Sequence, residues 1–335
     1  MNILYLCLGA FLFAITVLDI IKTTLSSNGG GKITNLVSRS VWKVFFLAAG
    51  RKGKSKLLQY AGPSVLVSIL LVWVVGLWLG LFLLLLSDPD AVQKSSTLAP
   101  ADAWEKLYYA GFTLSTLGVG DYVVTNDFWR IVTSVAAFSG LAFITTSITY
   151  FIPVLSAVGV QSKLSLYISS MGKTPQQVLT NSWNGQELSS FFDTTSDLCQ
   201  MLLQHTVNHQ SYPVIHYFHD SKPEQAITPA VVLLAETHLM LAQTVSPQAG
   251  VDQLKMSMLQ KALDSYLNMV KGSFLTSASP KEGAPVPDLS ELEEKGIPLQ
   301  HKPLFSHEVQ EHRKLLTALL EMDGWTWDVV HKTNG

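Results

Sequence analysis

The chain has 335 residues, 48% of them hydrophobic and only 14% charged, with a mean hydropathy of +0.27 and a net charge of −2. A soluble domain carries about 25% charged residues, so the composition excludes a protein that is soluble throughout, and the slightly acidic balance excludes a basic nucleic-acid-binding surface. Cys7 and Cys199 are too few for a disulfide framework.

The shortage of charge lies almost entirely in the first 160 residues. Three stretches reach the roughly 20 apolar residues that a helix needs to cross a bilayer: 3–21, interrupted only by Asp19, then 61–87 and 131–160, both uncharged. The first lacks a basic leader and a small-residue cleavage site, so it reads as a retained anchor rather than a signal peptide. Lys22, Lys32, Arg39, Lys43, Arg51, Lys52, Lys54 and Lys56 lie between the first two spans with no Asp or Glu among them, whereas the segment between the second and third has only Lys94, Lys106 and Arg130 as basic residues. The excess of Lys and Arg on the cytoplasmic side of membrane proteins predicts three crossings, with the N-terminus outside and the C-terminal half in the cytosol. The simplicity of the chain suggests a bacterial inner membrane.

The expected organisation is therefore an N-terminal span (1–22), a basic cytoplasmic linker (23–60), a membrane domain (61–160) and a cytosolic domain (161–335). In the linker, 35–49 mixes Arg39 and Lys43 with Val, Trp, Phe and Leu, as an amphipathic helix would. Its basic side could face lipid phosphates at the inner membrane surface, or the helix could pack on the second span. Gly29-Gly30-Gly31-Lys32 lacks the glycine spacing and the following Ser or Thr of a phosphate loop, and reads as a flexible turn.

Between the second and third spans, 104–116 suits a helix too short to cross the membrane, and Leu117-Gly118-Val119-Gly120-Asp121 follows at once. Irregular backbone at membrane depth is tolerated only where protein buries it or where it lines a water-filled path. A short helix and a Gly-rich turn between two full spans thus imply a re-entrant loop. Here the sequence resembles the potassium-channel pore family, whose filter Thr-x-Gly-x-Gly-Asp stands as Thr116-Leu117-Gly118-Val119-Gly120-Asp121. The resemblance covers about residues 61–160. It implies ion binding by the carbonyls of Thr116, Leu117, Gly118 and Val119 and by the Thr116 hydroxyl, within the filter that Gly120 completes, and no cofactor beyond the permeant potassium ion. It also implies that Asp121 anchors the outer mouth, that the Tyr108–Tyr109 pair braces the filter, that Gly140 is a gating hinge, and that four identical chains enclose one axis. Pro153 matches no required position but could bend the third span near an inner gate. Thr145, Thr146 and Ser147 either face a cavity or bond back to helix carbonyls. The family usually has Tyr or Phe where this chain has Val119, which leaves the coordination scheme intact and the filter less rigid. No span carries the repeated Arg of a voltage sensor.

Beyond residue 160 the pattern is helical. Helices are expected from Thr174-Pro175 to about 182, over 186–209, 229–244, 251–270 and 306–322, with a Pro-, Gly- and Ser-rich loop over 277–303. His205, His209, His216 and His219 have spacings that could serve a metal site or a pH sensor, or they are ordinary buried and half-exposed histidines. No nucleophile motif emerges, so an enzyme is not expected. The fold class is an all-α membrane protein with a helical cytosolic domain. The function is a potassium channel subunit in contact with membrane lipids and with an unidentified cytosolic ligand. A weakly selective cation channel and a non-conducting membrane-anchored regulatory protein are the alternatives.

Overall fold

A computed structural model describes residues 1–26, 29–273, 283–300 and 307–331. The protein is an all-α membrane protein: among the described residues three helices are long and apolar enough to cross a bilayer, over Ile3–Leu25, Lys56–Leu86 and Asp127–Met171. Two compact units divide the chain. One comprises Met1–Trp42, Pro63–Leu155 and Ser211–Val214, the other Lys43–Gly62, Ser156–Gln210 and Ile215–Gly335.

In the first unit, α1 (Ile3–Leu25) opens on Asn2, whose side chain accepts from the Leu4 N–H. It packs against α3 (Ala61–Leu86), which is apolar all round and needs no amphipathic stripe. Small residues let the two backbones approach: a Cβ on Gly80 would come within 2.8 Å of the Phe13 nitrogen, and one on Gly9 within 2.6 Å of the Leu84 nitrogen. Close backbone contact of this kind replaces the hydrophobic drive that is missing between helices in lipid. The amphipathic α2 (Lys32–Ala48) starts three residues earlier than its pattern suggested. Two short strands, β1 (Val92–Lys94) and β2 (Tyr122–Val124), pair antiparallel with Val92 opposite Val124 and Lys94 opposite Tyr122. They flank α4 (Ala103–Leu114) and its following turn. Strands this short leave no periodicity to read from sequence.

The third span is the start of a longer element. Helix α5 (Asp127–Met171) runs through 45 residues without a break at Gly140 or Pro153. At 1.5 Å per residue it is about 68 Å long, roughly twice a hydrocarbon core. The boundary expected at residue 160 thus falls inside a continuous helix, and the 23–60 linker is divided between the two units.

In the second unit, α6 (Pro175–Ser182), α7 (Ser189–Ser211), α8 (Ile227–Thr244), α9 (Gln253–Ser273), α10 (Ser290–Glu294) and α11 (His307–Met322) enclose a core that includes Phe191, Leu198, Val231, Leu234, Leu259 and Leu316. Helix α8 is buried on almost every side. Glu236, in its middle, is held by both arms of the Arg313 guanidinium at 3.0 Å each and by His331 at 3.3 Å. The expected helices are present with ends displaced by a few residues. The exceptions are α7, which begins at Ser189 after Leu188 has turned into the core, and α10, which lies inside the stretch read as a loop. Residues 277–282 and 301–303 of that stretch lie outside the described residues.

Candidate functional site

Helix α4 is built to carry a load at its C-terminal end. Asp102 and Glu105 form a reciprocal capping box, with the Glu105 N–H donating to Asp102 and the Asp102 N–H to Glu105, each at 2.9 Å. Lys94 of β1 reaches Glu105 at 2.8 Å, and the Tyr122 side chain of β2 hydrogen-bonds the same carboxylate. The bond from Lys94 is the main cause that pulls the Glu105 carboxyl down to about 2, with the Asp102 backbone next. Lys106 is buried, and its Nζ donates to the Asp88 and Pro89 carbonyls at 2.6 and 2.9 Å, so the loop after α3 supplies neutral oxygens for a buried cation. The Trp78 indole of α3 donates to the Leu107 carbonyl at 2.9 Å.

Beyond Leu114 the chain leaves the helix but stays tied to it. The N–H groups of Thr116 and Leu117 donate back to the carbonyls of Thr113 and Phe112. Residues 115–121 are then exposed throughout. Thr116, Gly118 and Gly120 all have positive φ, at 57°, 62° and 85°. Glycine takes such angles freely, whereas a β-branched residue such as Thr116 is strained by about 1–2 kcal/mol there. At the far end, the Ser95 N–H and hydroxyl both donate to the Asp121 carbonyl, at 2.9 and 3.0 Å, and Tyr122 enters β2. The segment is strung between two fixed points. The C-terminal end of α4, where unpaired carbonyls leave about half a negative charge, feeds directly into it.

The sequence-predicted supports divide. Tyr109 is buried against Phe112, with ring centroids 4.9 Å apart, while Tyr108 meets Phe112 and Tyr122 at 5.2 and 6.0 Å. Gly140 has a packing reason besides any hinge: a Cβ there would lie 1.9 Å from the Leu114 carbonyl oxygen, so only glycine lets α5 pass the end of α4. Pro153 lies within the unbroken α5. Thr145 bonds back to the Leu141 carbonyl at 3.1 Å.

The four histidines do not converge as metal ligands would. His205 and His209 of α7 have ring centroids 5.8 Å apart, and His209 contacts His216. His219 instead stacks on Trp325 and lies 2.7 Å from the Gly53 carbonyl. Among the described residues no three His, Cys, Asp or Glu side chains form a group able to hold a metal ion. Helical spacing aligned His205 with His209, and the turn after Ser211 brings His216 back against His209 while His219 packs on Trp325.

Sequence reasoning missed the acid that organises the membrane unit. Asp19 is buried and accepts from the Ile33 and Thr34 N–H groups at 2.8 and 3.1 Å, the Thr34 hydroxyl at 2.6 Å and the Trp73 indole at 3.0 Å. It joins α1 and α3 to the start of α2. The three-glycine run is more than a flexible turn, because a Cβ on Gly31 would fall 2.0 Å from an Asp19 oxygen. The available signal was a lone Asp inside an apolar span, a costly placement that demands partners.

With this geometry in place, a family model described as "Ion channel" matches residues 68–157. The matched segment runs from within α3 to within α5. The whole chain is similar to the uncharacterized membrane protein YdjJ of Bacillus subtilis (strain 168), 28% identical over 339 residues that cover 100% of this chain and 98% of that protein. No solved structure matches.

Proposed function

We propose that the protein is one subunit of a homotetrameric potassium channel of the cell membrane, with its N-terminus outside and its second unit in the cytosol. The observation that carries this reading is the left-handed backbone at Thr116, Gly118 and Gly120, in an exposed segment fixed at both ends. Left-handed residues at every second position turn successive carbonyls toward one side, the arrangement that replaces an ion's water shell. Strain at Thr116 is the kind that persists where function requires it. Assembly is favoured by what one chain leaves open. Phe138, Leu141, Ile144, Ile148, Ile152 and Leu155 form an exposed stripe along α5, and Leu117 and Val119 are 70% and 50% exposed. One loop cannot surround an axis; four can. Helix α2, with Arg39 and Lys43, suits the phosphates of the inner leaflet.

Val119 favours one second reading. A small aliphatic side chain, half exposed, braces the loop less than an aromatic ring, so a weakly selective monovalent cation channel is the alternative. Reversal potentials of the protein reconstituted in a potassium–sodium gradient separate the two. Reversal near the potassium equilibrium value supports the first reading, and reversal near zero the second. Gly118→Asp is expected to abolish flux while the assembly stays intact on a sizing column; undiminished flux would sink the filter assignment.

A further inference from the structure

Eight residues beyond Pro153, Gln161 of α5 donates through Nε2 to the Phe218 carbonyl at 2.9 Å. The Phe218 ring lies against Gly62, where a Cβ would come within 2.6 Å of it. His219 lies 2.7 Å from the Gly53 carbonyl, and Gln59 donates to the Ser221 hydroxyl at 2.9 Å. The short loop 218–221 therefore clasps both the extension of α5 and the residues that lead into α3. Nothing in the family resemblance supplies it.

Behind the loop is a cavity of about 10 Å³, room for a single water and for no organic ligand. Gln161 Oε1, Asp323 Oδ1 and the Trp325 indole line it, three buried polar atoms with no hydrogen-bond partner among the described residues. His209 Nε2 and His216 Nδ1 stand 3.3 Å apart at its wall. One neutral imidazole can donate to another at that distance, but two imidazolium rings cannot coexist there.

We infer that His209 and His216 form a proton-binding site that holds the 218–221 loop closed while neutral and releases it when protonated. Among the described residues, the groups that face the pair at the cavity do not favour the charged form. Charge on His205 of α7 or on His219 of the loop would lower His216 further, the Tyr217 ring packs against His216, and burial pushes the Tyr266 phenol of α9 up. The α5 and α8 side chains at the cavity, Gln161 and Thr228, carry no charge. Asp220 lines the cavity but is engaged by the Lys222 N–H at 2.9 Å. Asp323 accepts from the Thr228 hydroxyl, and burial pushes its carboxyl up, which weakens it as a counter-ion. Burial likewise lowers His209 to about 4 and His205 to about 3, and pushes His216 well below its ordinary value.

The sign follows. A group whose pKa is lower in the closed form binds protons more readily in the open form, so closure is complete above the ordinary histidine value near 6.5 and is lost as pH falls below it. Between pH 7.5 and 5.5 each such histidine shifts the equilibrium about tenfold toward opening, and the pair up to about a hundredfold.

Hydrogen–deuterium exchange of the full-length protein in detergent, corrected for intrinsic rates, tests this directly. Residues 209–221 are expected to lose at least about tenfold protection from pH 7.5 to 5.5. The double variant His209→Gln, His216→Gln is expected to show under about twofold change, since glutamine can hydrogen-bond but not titrate. Gln161→Leu is expected to expose the loop already at pH 7.5. A wild-type loop equally protected at both pH values, or an unchanged pH response in the double variant, overturns the proposal. Flux in vesicles buffered at the same two pH values tests the consequence for gating, which rests on the channel reading. Unchanged flux beside the expected exchange overturns the link to the pore, whereas absent flux at both values counts against the channel reading and leaves the exchange result to stand.

Discussion

Asp19 and Glu236 are both carboxylates buried among apolar helices, and the two units satisfy them in opposite ways. Among the described residues Asp19 meets no cation: four neutral donors surround it, two of them N–H groups at the start of α2. A helix N-terminus brings partial positive charge with its donors already oriented, so the membrane unit gains electrostatic balance without burying a second ion. Glu236 instead faces a full counter-charge, the bidentate Arg313, with His331 alongside and the guanidinium 5.5 Å over the Trp327 ring. In the first unit polar chemistry fixes where backbones meet; in the second it fixes side chains within a core already closed by apolar packing.

The largest effect is expected where that contrast is sharpest. Arg313→Met leaves Glu236 charged, buried and short of its bidentate partner, a loss of about 3–5 kcal/mol. Glu236→Leu combined with Arg313→Met removes both charges and is expected to regain most of it, as read from denaturant melts in detergent. A double variant no more stable than Arg313→Met would show that shape rather than charge dominates there. The pH dependence has a definite sign. Burial raises the Glu236 pKa, but the hydrogen bonds from His331 and Arg313 outweigh burial and hold it below its ordinary value. Its contribution is therefore full above about pH 4.5 and fades as the pH falls through the lowered value.

Asp19 tests the other half of the comparison. Asp19→Leu strands the Ile33 and Thr34 N–H groups and the Trp73 indole in an apolar setting. Two or more orphaned donors cost about 2–4 kcal/mol together. Asp19→Asn keeps an acceptor and is expected to cost about 1 kcal/mol. Thermal melts in detergent distinguish them. An Asn variant as damaged as the Leu variant would mean that the negative charge itself, rather than its acceptor oxygens, holds α2.

The same contrast explains what was legible in the sequence. The Thr116–Asp121 motif stood out because its pattern is local: six consecutive residues hold two glycines, both of which take left-handed backbone. The spans could be read because lipid demands length and apolarity over a continuous stretch. Asp19 stood out as an interruption, but its partners lie 14 to 54 positions away, beyond any periodicity. The Glu236–Arg313 pair is separated by 77 positions and had no signal at all. The histidines, which form no metal-holding group among the described residues, are a related case. Helical spacing is informative only within one helix, and the chain turns after Ser211. Gly140 shows the converse, a residue singled out for flexibility whose missing Cβ makes room for the end of α4.

The smallest effect lies at the loop after α3 and bears on whether backbone placement is what the first unit's polar groups secure. The Trp129 indole donates to Asp88 at 2.8 Å, and this bond is the leading cause that holds the Asp88 carboxyl below its ordinary value. The Asp88 carbonyl also receives Lys106, so the residue ties the start of α5, through the loop after α3, to α4. Trp129→Phe keeps the buried ring and deletes the donor, for about 1 kcal/mol. A carboxylate with a lowered pKa contributes stability above its unfolded value and loses it as pH falls through the folded one, so variant and wild type should converge below about pH 3.8. A gap that persists in acid would assign the cost to ring packing. A gap that closes would assign it to the hydrogen bond, and with it to the position of the backbone from which the 115–121 segment is strung.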